Sequence, residues 1–166
     1  KDKHNYSFRD QYITIRGQGC FLGDVVIYNA FHVNVDGVEF AGELYFAFTK
    51  EVRLYNSKFT GENGVVLGVG SNNFIMQNLT SECKGSAVIT DPTIEKYDYV
   101  IGQEPEIHDV ILQDSTFNAG ESAITLRASA DVKIYNMQID HVSSNGVTLE
   151  IGKVGEQVPA ECYFNL

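Results

Sequence analysis

Val52-Arg53-Leu54-Tyr55-Asn56-Ser57-Lys58-Phe59-Thr60-Gly61-Glu62-Asn63-Gly64-Val65-Val66-Leu67 is the stretch whose reading decides the fold. Its apolar-x-apolar-x-Asn/Gly opening returns at Ile13-x-Ile15-x-Gly17, Val33-x-Val35-x-Gly37 and Phe74-x-Met76-x-Asn78. It returns again at Val110-x-Leu112-x-Asp114 and Val132-x-Ile134-x-Asn136. First members lie 20, 19, 22, 36 and 22 residues apart, so one step carries about 14 inserted residues and the other four are single repeats. A strand–turn–strand period near 20 marks a solenoid, whose units bury their apolar side only by stacking on one another.

Side chains alternate along a strand. Ile13 and Ile15 therefore face inward with Val33 and Val35, Val52 and Leu54, Phe74 and Met76, Val110 and Leu112, and Val132 and Ile134. The same parity turns Gly17, Gly37, Asn56, Asn78, Asp114 and Asn136 inward as a third column. A buried Asn needs hydrogen-bond partners, and stacked copies supply them to each other, which predicts an asparagine ladder. Three residues later comes another apolar position, filled by Cys20, Phe40, Phe59, Phe117 and Ile139, while Leu79 arrives early and predicts a local irregularity in the fourth copy. A turn then leads to second strands at Val25–Tyr28, Leu44–Phe46, Val65–Leu67, Ala87–Ile89, Ala123–Leu126 and Val147–Leu149. No amphipathic helical period runs beyond two turns. The expected fold is all-β, a right-handed parallel β-helix of about six rungs with an asparagine ladder and one inserted loop at 91–109, the whole of 1–166 forming one domain.

Composition narrows the partners. Twenty-two acidic against twelve basic residues leave a net charge of −10, which argues against nucleic acid, since phosphate binding needs a basic face. No apolar run approaches the length of a membrane span. Three cysteines without CxxC spacing carry neither a metal nor a redox motif. With no initiator Met and no obvious polar caps in 1–10 or 152–166, the chain is expected to be a processed form or part of a longer protein, its ends docked on flanking domains or a partner.

Ile13-Thr14-Ile15-Arg16-Gly17-Gln18-Gly19, then Val25-Val26-Ile27-Tyr28-Asn29-Ala30, then His32-Val33-Asn34-Val35-Asp36-Gly37-Val38-Glu39-Phe40 together resemble the coils of the pectate-lyase-like β-helix superfamily. That superfamily includes polysaccharide lyases, polygalacturonase-type hydrolases, phage tailspikes and adhesins. The resemblance covers nearly the whole chain and is one of architecture, which by itself does not assign an activity. It implies a polysaccharide partner, an extracellular, cell-surface or virion location, and a ligand along the outer face of the first strand of each coil. On that face stand Arg16, Asn34, Asp36, Arg53 and Tyr55, an acid between two arginines with a tyrosine beside it. Arginine would neutralise a uronate while a base takes the α-proton, and Asp36 and Arg53 are the catalytic candidates, although arginine itself is too strongly basic to abstract a proton. The Asn-Thr-Asp, Asp-Asp, Gly-His-Gly and Arg-Ile-Lys signatures of the hydrolases are missing, as is the Trp-Ile-Asp-His motif of the lyases.

The 91–109 insertion holds six acids, Tyr97, Tyr99 and His108. Its tyrosines, alternating with Asp98, suit stacking on a sugar ring, and Glu104, Glu106 and Asp109 are oxygen donors of the kind calcium takes, though their spacing matches no calcium loop. His108 reads as structural. Asn5-Tyr6-Ser7 and Asn78-Leu79-Thr80 have the glycosylation spacing, but an inward Asn78 leaves no room for a glycan. Two functions follow: a carbohydrate-directed module that binds a polysaccharide and, within a complete site, cleaves it; or a structural shaft of a trimeric tail fibre or adhesin.

Overall fold

The computed structural model describes residues 12–94 and 104–166, and among them the regular structure is strand, with no α-helix. The chain winds as a parallel β-solenoid of about six turns. One stack consists of β1 (Ile13–Arg16), β4 (Phe31–Asp36), β7 (Lys50–Tyr55), β10 (Asn72–Gln77), β13 (Ile107–Ala119), β15 (Ile134–Ser144) and β17 (Ala160–Asn165). Short strands β2 (Cys20–Phe21), β5 (Glu39–Phe40), β8 (Lys58–Phe59) and β11 (Thr80–Cys83) continue this sheet around a bend and join it through the second half of β13. The facing sheet stacks β3 (Val25–Tyr28), β6 (Leu44–Ala47), β9 (Val65–Gly68), β12 (Val88–Asp91), β14 (Ile124–Ala128) and β16 (Val147–Ile151). Among the described residues no helix is long and apolar enough to cross a membrane.

Register makes the columns visible. Ile13, Val33, Val52, Phe74, Val110, Met137 and Cys162 stack in one, and Ile15, Val35, Leu54, Met76, Leu112, Ile139 and Phe164 in the next. Val33, Val35, Val52, Leu54 and Met76 have no exposed surface, and neither has Leu44 on the facing sheet. Phe21, Phe40 and Phe59 stack ring on ring, with centroids 5.5 and 5.2 Å apart.

Four expectations are corrected. The sixth turn is shifted: Met137 and Ile139, not Val132 and Ile134, lie beside Val110 and Leu112, while Ile134 pairs with Ile107. Phe21 rather than Cys20 heads the phenylalanine column, and Cys20 is exposed. The fourth turn is regular, β11 lying in simple register with both β8 and β13. Finally, no inward asparagine ladder forms: Asn56, Asn78 and Asp114 are exposed.

The physical reason for this last correction lies in the backbone. Asn56, Asn78, Asp114 and His141 have φ of 54°, 54°, 50° and 49°, and Gly37 precedes them at 71°. A left-handed residue interrupts strand alternation and adds one outward position, so Ser57 and Ser115, the next residues, take the buried place. Ser57 Oγ donates to the Tyr55 carbonyl at 2.9 Å and accepts from the Val38 N–H at 3.3 Å. Ser115 repeats this with Gln113 and Leu79 at 2.8 and 3.0 Å. Five residues before each bend stands a second left-handed column, His32, Glu51, Asn73, Asp109 and Asn136, with φ between 52° and 60°. Asn136 is thus a bend residue of the earlier corner, which explains the shift of the sixth turn. The exposed Asn78 also removes the steric reason against its sequon; Asn5 lies outside the described residues.

Candidate functional site

The first-strand face gathers the predicted residues. Register sets Arg16 beside Asp36, Asn34 beside Arg53, and Asp36 beside Tyr55. Two of them, Asp36 and Arg53, bond to the scaffold rather than to each other. Asp36 Oδ1 accepts from Asn56 Nδ2 at 2.8 Å, and Asn78 Nδ2 donates to Asn56 Oδ1 at 2.6 Å. Arg53 Nη1 donates to the carbonyls of Val52 and Asn73 at 3.1 and 3.4 Å. Arg16 also lines a cavity of about 290 Å³ with Phe21 and Val38, in the first turn of the coil. Tyr97 and Tyr99 lie outside the described residues.

Beyond the insertion, His108 stacks on Tyr135 with centroids 4.5 Å apart and bonds Asp109 at 2.8 Å. The Asn136 amide donates to Asp109 at 2.5 Å, and this bond, with that of His108, holds the Asp109 carboxyl below its ordinary range. Burial first, then Glu104, Glu106 and Asp109, pushes the Tyr135 phenol upward. Among the described residues no cluster of three or more His, Cys, Asp or Glu is placed to hold a metal ion.

A cleft with a polar lining lies on the other sheet. Val26, Tyr45, Val66, Ile89, Thr125 and Thr148 form one row there, and beside it stand the register pairs Tyr28 and Ala47, Gly68 and Asp91, and Arg127 and Glu150. The face is apolar and aromatic at its first turns and polar at its last. Tyr45 lies across Gly68 to donate from Oη to Asp91 Oδ2 at 2.6 Å. A β-carbon on Gly68 would stand 2.8 Å from the ring, so glycine is what lets the tyrosine span a whole strand.

Where this face meets the turn entering it, a cleft of about 370 Å³ opens over the third to sixth turns. One wall is a relay of short polar side chains. Asn63 Nδ2 donates to Glu43 Oε1 at 2.7 Å, and its Oδ1 accepts from the Ser86 N–H at 3.0 Å. Ser86 Oγ lies 2.8 Å from Thr125 Oγ1, and Ser122 Oγ 2.5 Å from Thr148 Oγ1. A β-carbon on Gly85 would come within 2.5 Å of Asn63 Oδ1, so only glycine keeps the relay unbroken there. Arg127 Nε donates to Glu150 Oε2 at 2.7 Å across the far side. Glu62 and Glu121 complete the lining; both are exposed, and neither carboxylate is bonded among the described residues.

Backbone register fixes their separation. Lys84 N–H bonds the Gly61 carbonyl and Gly120 N–H bonds that of Cys83, so these two glutamates sit two turns apart. At the spacing of stacked strands their backbones are about 10 Å apart. The arrangement offers carboxylates, an amide and hydroxyls on a rigid wall, groups suited to a hydroxyl-rich ligand. Sequence reasoning passed over this cleft. Its signal was the run of polar residues just before each second strand: Asp24, Glu43, Asn63, Ser86 and Ser122.

Comparison with family models, with curated proteins and with solved structures found no match to this chain.

Proposed function

We propose that this chain is a carbohydrate-directed β-helix module of an extracellular or virion surface protein, of the pectate-lyase-like kind, that binds a polysaccharide. The observation that supports this most is the cleft on the second sheet: an elongated polar recess running along the coil axis, walled by Asn63, Ser86, Ser122 and Thr125. A solenoid repeats its contacts every turn, which suits a repeating polymer. If the cleft also cleaves, the carboxylates free for acid–base work in it are Glu62 and Glu121. Titration with a panel of neutral, anionic and cationic polysaccharides, with chain length followed in parallel, tests the reading. Binding to at least one is expected, and Asn63→Ala weakens it about five- to tenfold, the size of one hydrogen bond. Failure to bind any member contradicts the proposal.

The alternative, a structural shaft of a tail fibre or adhesin, draws support from a different observation. Tyr12, Leu22 and Val26 in the first turn, and Leu149, Val154, Tyr163 and Leu166 in the last, are exposed apolar residues. A shaft would associate through these ends and be indifferent to Asn63→Ala. Light scattering separates the two: a monomer that binds sugar contradicts the shaft.

A further inference from the structure

We infer that the polysaccharide taken by the cleft carries free amino groups, as a polymer of de-N-acetylated hexosamines does, rather than the uronates of the superfamily's pectin-directed members. This rests on the carbohydrate reading above and adds the charge of the sugar. What makes the recess a site is its shape and its polar wall; the charges within it select the ligand.

Among the described residues, three glutamates and one arginine line it. Arg127 is already spent on Glu150 at 2.7 Å, which leaves Glu62 and Glu121 as lining anions with no ion-pair partner among the described residues. Lys84 is the register neighbour of Glu62, yet it is not among the lining residues and makes no ion pair among the described ones. A uronate would bring a third unpaired anion into this space, and like charges without a cation repel. An uncharged pyranose commonly gains its affinity by lying on an aromatic ring. Among the described residues the apolar contribution to the lining is Ile89, with no aromatic side chain. Polar contacts must therefore supply the binding, and those between ionised groups are about twice as strong as neutral ones. An ammonium on each sugar provides such a partner for both glutamates, two turns apart along the groove. Asn63 and the hydroxyl pairs are left for the ring hydroxyls.

The test uses three linear oligomers of equal length: β-1,4-linked glucosamine with free amines, the same oligomer N-acetylated, and oligogalacturonate. The free-amine oligomer is expected to bind at least about tenfold more tightly than the other two. Glu62→Gln/Glu121→Gln abolishes that preference, while Glu39→Gln/Glu161→Gln, which removes two charges outside the cleft, keeps it. Both pairs of carboxylates are exposed, and circular dichroism checks that each variant retains its strand signal. Equal or tighter binding of the acetylated or uronate oligomer, still sensitive to Asn63→Ala, overturns the inference and leaves the carbohydrate reading standing. A free-amine preference that survives in the cleft variant overturns it too, because the net charge of −10 would then attract any polycation. Absence of binding by all three and by the wider panel overturns both.

Discussion

Asn56 shows how much one backbone angle decides. Its φ of 54° turns it outward, hands the buried place to Ser57, and lets it bridge Asn78 to Asp36. Asn tolerates the left-handed region better than other non-glycine residues. Asn56→Val should therefore lower the unfolding free energy by about 2 kcal/mol, whereas Asn56→Gly should change it by less than about 1 kcal/mol; urea midpoints read the difference. Gly68 makes the opposite demand. Gly68→Ala pushes Tyr45 off Asp91 and should cost about 1–3 kcal/mol, with loss of the Tyr45 near-ultraviolet signal. Burial pushes the Cys83 thiol up to about 11 from an ordinary 9.0. The folded chain thus holds that proton where the unfolded chain has lost it, and stability declines as pH rises from 9 toward 11. At about pH 8 a thiol reagent should label exposed Cys20 in the folded chain and Cys83 only after unfolding.

At the scale of the strand, two-residue alternation carried nearly all of the legible information. Val33, Val35, Val52, Leu54, Phe74 and Met76 are buried as their parity requires, because nothing between them breaks the alternation. The bends were not legible in the same way, since parity fails at a positive-φ residue and the residue types that adopt one here include His32, Glu51 and His141 as well as asparagine. The sixth turn slipped for that reason. Asn136 resembles Asn78 in type but belongs to the corner five residues earlier, the interval that also separates Glu51 from Asn56 and Asn73 from Asn78. Met137 separates the two registers. Facing inward and only 2% exposed, it should cost about 2–5 kcal/mol when changed to Ala, whereas the outward place that plain parity gives it would make the change nearly neutral. The cleft was harder still: Asp24 and Glu43 stand one residue before the matched Val25 and Leu44, whereas Asn63, Ser86 and Ser122 stand two before Val65, Val88 and Ile124, so the wall emerges only when the turns are stacked.

For the whole molecule, the coil presents two polar surfaces with different freedom. The first-strand face holds Asp36 and Arg53 in bonds to Asn56 and to backbone carbonyls. Beside the second sheet, Glu62 and Glu121, unpaired among the described residues, line a recess whose wall is internally bonded. Binding at the second surface requires no rearrangement of the coil, and preformed sites lose the least on association. The most direct measurement compares the two surfaces within one titration. A polysaccharide that binds the unmodified chain is titrated into Asp36→Ala/Arg53→Ala and into Asn63→Ala/Glu121→Gln. Retained affinity in the first variant, with a loss of about tenfold or more in the second, is the predicted result; loss in the first with full affinity in the second would contradict the assignment of the cleft.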